Sequence, residues 1–249
     1  MGKEASAGLN RRARTIINRL KKAYPAPGTA LEHRSALELL VATILSAQCT
    51  DVRVNKVTPN LFSRYPSASD YANADRSELE ELVRTTGFYR NKAKSIQGAS
   101  QKIVEMFSGD VPRTMDELLE LPGVARKTAN VVLGNYYGIA AGVVVDTHVH
   151  RLSHRMGLSR GKTAEQVERD LMVVYPAKDW IDLGNVLILH GRSVCSARQP
   201  KCEECIVASH CPKIKVSPKA KKTPRASTNP HHPLSERIRN AKRKRGAHK

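Results

Sequence analysis

Lys127 and Asp146 are the side chains in this sequence best suited to covalent chemistry. The pattern predicts that Lys127 falls in the first turn of a helix. A helix N-terminus carries partial positive charge and Arg126 is adjacent, so the ammonium form is disfavoured and a nucleophilic amine becomes available. Asp146 follows the apolar run 143–145 at a predicted helix N-cap. Capping alone would explain an isolated aspartate there, but its pairing with Lys127 favours catalysis.

Four of the five cysteines lie close together and form a second chemical motif. Their spacing is Cys195-x6-Cys202-x2-Cys205-x5-Cys211, which can wrap an iron–sulfur cube. Zinc is the alternative, but structural zinc sites usually contain two Cys-x-x-Cys pairs and only one is present here. We therefore favour a [4Fe-4S] cluster. Cys49 lies outside the set and is interpreted as a small buried hydrophobe.

Lys127 lies within the segment 118–133, which must position it. The sequence of this segment predicts a short helix, a Pro-Gly hairpin and a second helix. Exposed amides at such a hairpin can meet a DNA phosphate without reading sequence. The predicted contacts are Gly123, Ala125, Arg126 and Thr128. An ordinary glycine-containing helical turn is the alternative interpretation.

Apolar residues elsewhere recur at helical spacing, and convincing alternating strands are absent, so the fold class is predicted to be all-α. Residues 36–47 are apolar nearly all round, which predicts a buried central helix. Four segments have the capping-box form that starts a helix. They are Ser35-x-x-Glu38, Ser77-x-x-Glu80, Thr114-x-x-Glu117 and Thr163-x-x-Gln166.

The charge of the chain predicts a polyanionic partner. The formal net charge is +19, which favours nucleic acid, with an acidic membrane surface as the alternative. No apolar run approaches the length of a membrane span and no secretory segment is recognisable, so we expect no membrane association and an intracellular protein. We expect it in the cytoplasm on the nucleoid, or in the nucleus if the source has one.

Residues 216–249 have the composition of a disordered basic tail, with eleven Lys or Arg and one Glu. Few large apolar residues occur there to support a core. DNA affinity, nuclear import and simple solubilisation all remain open for this segment.

His148, His150 and His154 could suggest a metal site, because the last two are spaced for one helical face. A further ligand motif is missing. A histidine near a nucleic-acid face more often bonds phosphate or packs, so His148 is interpreted as a DNA contact.

Together these motifs resemble one family closely, the endonuclease III branch of the helix-hairpin-helix DNA glycosylases. The resemblance runs from about Ser35 to Cys211. The segments that carry it are 45–51, 87–93, the hairpin with Lys127, 145–148, 190–192 and the four-cysteine loop.

The resemblance implies a two-domain helix-hairpin-helix glycosylase fold with a bound [4Fe-4S] cluster. Residues 29–140 would form a six-helix domain. The N-terminal helix within 1–28 would join residues 141–215 in the cluster domain. Duplex DNA with oxidised pyrimidines or abasic sites would lie across the cleft, bound by a monomer.

The same resemblance implies the roles of individual residues. Lys127 would be the nucleophile and Asp146 the carboxylate that assists it. Gln48 would fill the gap left by a flipped nucleotide, and Phe88, where relatives often carry Leu, would plug the opposite strand. The implied function is base excision followed by β-elimination at the abasic site. Ala125 departs from the family, which usually has Gly there.

Two other functions compete with this one. An adenine-removing mismatch glycosylase would share the fold and the cluster, but it would lack Lys at position 127 and carry a catalytic Glu on the buried helix. No carboxylate occurs between Leu39 and Ala47. A non-catalytic DNA-binding module with a redox-sensing cluster is the alternative from another class.

Overall fold

The computed structural model describes residues 3–216, and within that range it consists of helices and loops without a β-strand. Three short 3₁₀ helices lie at Arg84–Thr86, Ala177–Asp179 and Ala208–His210. The α-helices are α1 (Lys3–Ala23), α2 (Ala36–Leu45), α3 (Asp51–Arg64), α4 (Ala68–Ala72), α5 (Arg76–Val83), α6 (Tyr89–Phe107), α7 (Met115–Leu119), α8 (Arg126–Asn135), α9 (Thr147–Arg155), α10 (Ala164–Val174) and α11 (Trp180–Ser193). The all-α prediction is confirmed.

Three of the four predicted capping segments start a helix at the expected N-cap. Ser35, Thr114 and Thr163 are N-caps whose side chains accept a hydrogen bond from the backbone N–H three residues later. The prediction for Ser77 is wrong. Asp75 caps α5 instead, accepting from the backbone of Ser77 and Glu78, because a carboxylate two residues earlier reaches the same orphan amides.

The first hydrophobic core surrounds α2, as its apolar sequence predicted. Eight of its ten residues are buried. Side chains from α3 through α8 complete this core. The predicted six-helix region, residues 29–140, contains seven α-helical segments, two of them only five residues long.

The second core combines the N-terminal helix with the later part of the chain. Ile16, Ile17 and Leu20 of α1 pack with side chains of α9, α10 and α11. The extended run 143–145 joins the cores: Val144 belongs to the first, and Val143 and Val145 belong to the second. Alternate residues of an extended chain point in opposite directions. The division into two domains remains a prediction.

None of the helices described between residues 3 and 216 combines the length and hydropathy that crossing a bilayer requires. The predicted basic tail lies almost entirely outside the described residues.

Candidate active site

Lys127 and Asp146 line the same open cleft. The cleft wall is built from residues 28–31, the end of α2, the start of α3, one face of α8, the run ending at Asp146, and α11. Hydrogen bonds of asparagine side chains connect these segments. Asn185 donates to the Asn135 Oδ1 atom at 3.0 Å, and the same oxygen accepts from the backbone of Thr29 at 3.2 Å.

Lys127 is the second residue of α8, in the first turn as predicted, and its side chain is exposed. Ala125 is the N-cap of this helix and supplies no side-chain hydrogen bond. The amides of the first turn, which include that of Thr128, therefore lack a side-chain cap. Such amides are suited to binding an anion.

The hairpin before α8 is anchored by apolar side chains while its tip stays exposed. Leu121 and Val124 are buried, and Pro122 and Gly123 are exposed. Gly123 has φ +77°, and a Cβ there would stand 2.4 Å from the Ser95 Cβ atom, so the position requires glycine. Ala125 has φ −97° and ψ 169°, so its methyl group causes no backbone strain.

Asp146 is the N-cap of α9, as predicted. Its Oδ1 atom accepts from the backbone N–H groups of His148 and Val149, both at 2.8 Å. These bonds fix the carboxylate at the cleft and use only one of its two oxygens. The capping role and a catalytic role are therefore compatible.

Arg126 is held by a buried carboxylate. Its Nε and Nη2 atoms donate to Glu168 at 2.8 and 3.1 Å, and Asn130 donates to the same carboxylate at 2.8 Å. Glu168 is only 5% exposed. This bidentate ion pair joins α8 to α10 beside Lys127. The Arg126 guanidinium, which was predicted to contact DNA, is therefore paired with a carboxylate of the protein.

His148 lies at the start of α9 and is half-buried. Its Nδ1 atom is 3.1 Å from the Arg151 Nη2 atom, which also donates to the carbonyls of Gly191 and Cys195. A Cβ at Gly191 would approach the His148 ring to 2.8 Å. This network links the start of α9 to the cysteine loop.

Gln48 and Phe88 do not line the cleft, and both are exposed on loops. Gln48 lies in the chain between the wall residues Ser46 and Asp51. Both adopt left-handed backbone conformations, with φ 53° and φ 49°. Phe88 is 63% exposed, which is unusual for so large an apolar side chain. Strained backbone of this kind in non-glycine residues clusters at functional sites.

Asp51 and Arg192 are cleft residues for which the sequence indicated no role. Arg192 Nη2 and Asp51 Oδ2 form an ion pair at 2.7 Å between α3 and α11. Both belong to segments that carry the family resemblance. Nothing in the sequence connects the two residues, which are far apart along the chain.

The four cysteines of the loop surround a second cavity, which Arg155, Met156 and His190 also line. None of these four cysteines forms a disulfide bond. Arg155 donates to the Cys195 sulfur at 3.4 Å and to the carbonyls of Ser196 and Ala197 at 2.7 Å each. The loop is therefore held against α9 by hydrogen bonds to its backbone and to one sulfur.

His190 contacts the loop from the other side. Its Nε2 atom is 3.4 Å from the Cys205 sulfur and its Nδ1 atom is 3.0 Å from the Tyr24 hydroxyl. Burial lowers the pKa of His190 to about 4, so the ring is neutral near pH 7. When the tyrosine donates to Nδ1, the Nε2–H group points at the sulfur, as is usual around metal-bound thiolates.

The donor set fits an iron–sulfur cluster better than a single metal ion. Within residues 3–216, no three His, Cys, Asp or Glu side chains converge closely enough to hold one ion. Four thiols around one cavity instead match the four cysteine ligands that a [4Fe-4S] cube takes. Burial raises the pKa of Cys205 and Cys211, so cluster binding must displace their protons.

Replacing Cys202 by serine should strip the cluster from the protein. We expect about four iron atoms per wild-type chain and a brown colour, both largely lost in Cys202→Ser together with solubility, because the loop has little core of its own. Iron analysis and visible absorbance measure this. Cys49→Ser, outside the loop, is the control and should retain its iron. Zinc without iron in anaerobically prepared wild-type protein would contradict the assignment.

Comparison with known proteins agrees with this geometry. The protein-family model described as "HhH-GPD superfamily base excision DNA repair protein" matches residues 41–177 of the sequence. The fold and the cleft therefore belong to the class of helix-hairpin-helix base excision repair proteins. A second model, "Iron-sulfur binding domain of endonuclease III", matches residues 195–211, the cysteine loop. The prediction of a [4Fe-4S] cofactor is confirmed.

Individual relatives indicate which family within this class the chain resembles. Endonuclease III of Synechocystis sp. is 57% identical over 211 residues, covering 85% of this chain and 96% of the relative. Endonuclease III of Bacillus subtilis is 44% identical and covers 78% and 89%. The structure of a trapped endonuclease III–DNA covalent intermediate superposes with a TM-score of 0.78 at 40% identity, covering 82% of this chain and 96% of that one.

The chain belongs to the endonuclease III family. It is a bifunctional DNA glycosylase and AP lyase of base excision repair that removes oxidised pyrimidines. It binds damaged duplex DNA.

Proposed function

We propose that Lys127 is the nucleophile of both reactions and that Asp146 is the carboxylate that assists it. The observation that carries this proposal is that the two side chains line one open cleft, each at the start of a helix. One helix presents an exposed amine and the other a carboxylate fixed by its capping hydrogen bonds. A Schiff-base mechanism requires an amine nucleophile, and a carboxylate on the same cleft can assist it.

In the proposed mechanism, the free amine of Lys127 attacks C1′ of the damaged nucleotide. The C1′–N bond breaks and the base leaves with the bonding electrons and takes up a proton. The nitrogen of Lys127 then loses one of its two protons. Its lone pair forms the C1′=N bond as the sugar ring opens and O4′ takes up a proton, which yields a protonated Schiff base at C1′. Removal of a C2′ proton then expels the 3′ phosphate and cuts the strand.

Asp146 can serve the first step in two ways. Its Oδ1 atom stays on the backbone amides of α9, while the carboxylate charge stabilises a cationic sugar or accepts a proton from Lys127. Cys195, Cys202, Cys205 and Cys211 would hold the [4Fe-4S] cluster, which would cross-link the loop 195–211 within itself and so fix its fold.

The DNA contacts follow from the placement of the loops. The uncapped amides of the hairpin, at Gly123, Ala125 and Thr128, would meet a phosphate beside Lys127. Gln48 and Phe88 would enter the duplex. Since Arg126 is paired with Glu168, its role in this proposal is to hold the start of α8 rather than to bind phosphate directly.

The proposed substrates are duplexes with oxidised pyrimidines or with preformed abasic sites. The protein would act as a monomer in the cytoplasm on nucleoid DNA, without a membrane. The high positive charge of the chain supports a DNA partner.

Substitution of Gln48 or Phe88 should slow excision of a paired lesion more than cleavage at an already extruded abasic site. Holding the duplex open after flipping is worth a few kcal/mol, so Gln48→Ala and Phe88→Ala should each lower paired-lesion excision about tenfold. Single-turnover rates on the two duplexes measure the difference. Equal loss on both substrates would show that these side chains do not hold the duplex open.

Strand cleavage provides the general test of the proposed function. Wild-type protein is incubated with a duplex that contains one oxidised thymine and with an abasic duplex. An enzyme that works by β-elimination releases the oxidised base from the first duplex and cuts the damaged strand of each duplex 3′ to the damaged position. A non-catalytic DNA-binding module would leave both duplexes uncut, and an adenine-removing glycosylase would act only on a mismatched adenine.

A further inference from the structure

Lys92 is a buried lysine that the mechanism above does not use. It lies in the first turn of α6 and is only 5% exposed. Lysine is almost never buried unless it is paired, because its ammonium group must be removed from water. Burial accordingly lowers the pKa of Lys92 below its usual value. The buried ammonium group of Lys92 therefore needs specific hydrogen-bond partners to offset its removal from water.

The partners are two backbone carbonyls from different parts of the chain. The Lys92 Nζ atom donates to the carbonyl of Leu45 and to the carbonyl of Thr86, both at 2.8 Å. Leu45 is the last residue of α2, and Thr86 is the last residue of the 3₁₀ helix before α6. Carbonyls at helix C-termini lack partners within the helix and attract a cation.

Each carbonyl lies just before one of the two strained loop residues. Gln48 follows Leu45 by three positions and Phe88 follows Thr86 by two, and both have left-handed backbone. Such conformations cost free energy and persist only when the surrounding structure imposes them. The ammonium group of Lys92 is one contact shared by both segments.

We propose that Lys92 is a positioning residue that fixes the loops of Gln48 and Phe88 relative to each other, so that both side chains enter the duplex together. This inference rests on the roles proposed for Gln48 and Phe88. Lys92 itself is buried beneath the loops and does not touch the reacting atoms. The alternative is that Lys92 only stabilises α6 and the helix ends, without a particular effect on opening the duplex.

The test replaces Lys92 by methionine, which keeps the length of the side chain and removes its donors. We expect excision of a paired lesion to fall about tenfold, because hydrogen bonds to a charged donor are lost at two carbonyls. Cleavage at an already extruded abasic site should stay within about twofold of wild type, since Lys127 and Asp146 are untouched. Should Lys92→Met fail to give soluble protein, Lys92→Gln, which retains an N–H donor, replaces it in the same comparison.

A combined variant separates positioning from general stabilisation. If Lys92 acts through both loop residues, adding Lys92→Met to the Gln48→Ala, Phe88→Ala double variant should cause no further loss on the paired lesion. Ile96→Val is the matched control, because Ile96 is a buried residue of the same helix whose side chain has no donor for these carbonyls. Any loss caused by Ile96→Val should be the same in both backgrounds.

Four results would contradict this proposal or the roles on which it rests. A further tenfold loss in the combined variant, or an equal loss at the extruded abasic site, would overturn the positioning role and leave Lys92 as a structural residue. Full activity of Lys92→Met on paired lesions would overturn it too. If Gln48→Ala and Phe88→Ala themselves showed no preference between the two substrates, the proposed roles of those residues would fail first.

Discussion

Lys127→Gln should bind lesion-containing DNA but give no borohydride-trapped adduct and almost no strand cleavage. Glutamine has a similar length but no nucleophilic amine. The attack on C1′ therefore cannot occur, and no Schiff base can form. Loss of a catalytic nucleophile typically costs several orders of magnitude, and we expect a fall of at least about 10⁴-fold. Single-turnover cleavage and a binding titration on the same duplex measure the two quantities separately.

The control for this experiment is Lys178→Gln. Lys178 is an exposed lysine of the 3₁₀ helix 177–179 and does not line the cleft. Its replacement removes one positive charge from the protein and should leave cleavage unchanged. Cleavage by Lys127→Gln at the wild-type rate would show that another group is the nucleophile.

Asp146→Asn should stay folded and lose most of its base-excision activity. Asparagine is as good an N-cap as aspartate, so the hydrogen bonds to the amides of His148 and Val149 can persist. The negative charge that assists Lys127 is lost. We expect the rate of base release to fall by about two orders of magnitude or more, in line with loss of a general base or an electrostatic stabiliser.

Two further measurements complete this prediction. Thermal unfolding should show nearly the wild-type midpoint, and slow trapping at a preformed abasic site should persist, because Lys127 still carries its amine. Serine also caps helices but carries no charge, so Asp146→Ser should behave like Asp146→Asn. A stable and fully active Asp146→Asn would reduce Asp146 to a helix cap.

Local features of the site could be predicted because they depend on neighbouring residues. The apolar run of α2 indicated its burial, and the segment around Lys127 indicated a first helical turn. The apolar run before Asp146 indicated a cap. The spacing of the four cysteines indicated the cluster loop. Each of these depends on helix periodicity, capping or ligand spacing over a few residues.

Pairs that form between distant segments could not be predicted. Glu168 meets Arg126, Arg192 meets Asp51, and Lys92 meets Leu45, because the helices that carry them pack together in the folded chain. No local pattern distinguishes these charged residues from solvated ones. The start of α5 was predicted wrongly for a local reason: Ser77 and Asp75 both suit an N-cap, and the carboxylate takes the position.

The most direct test of the mechanism is to locate the covalent bond. Wild-type protein is incubated with a duplex that contains an oxidised thymine, reduced with borohydride, digested and analysed by peptide mass spectrometry. The expected result is one deoxyribose-derived adduct on the peptide that contains Lys127, formed as the base is released. An adduct on a different residue, or base release and strand cleavage without any trapped adduct, would contradict the assignment of Lys127 as the nucleophile.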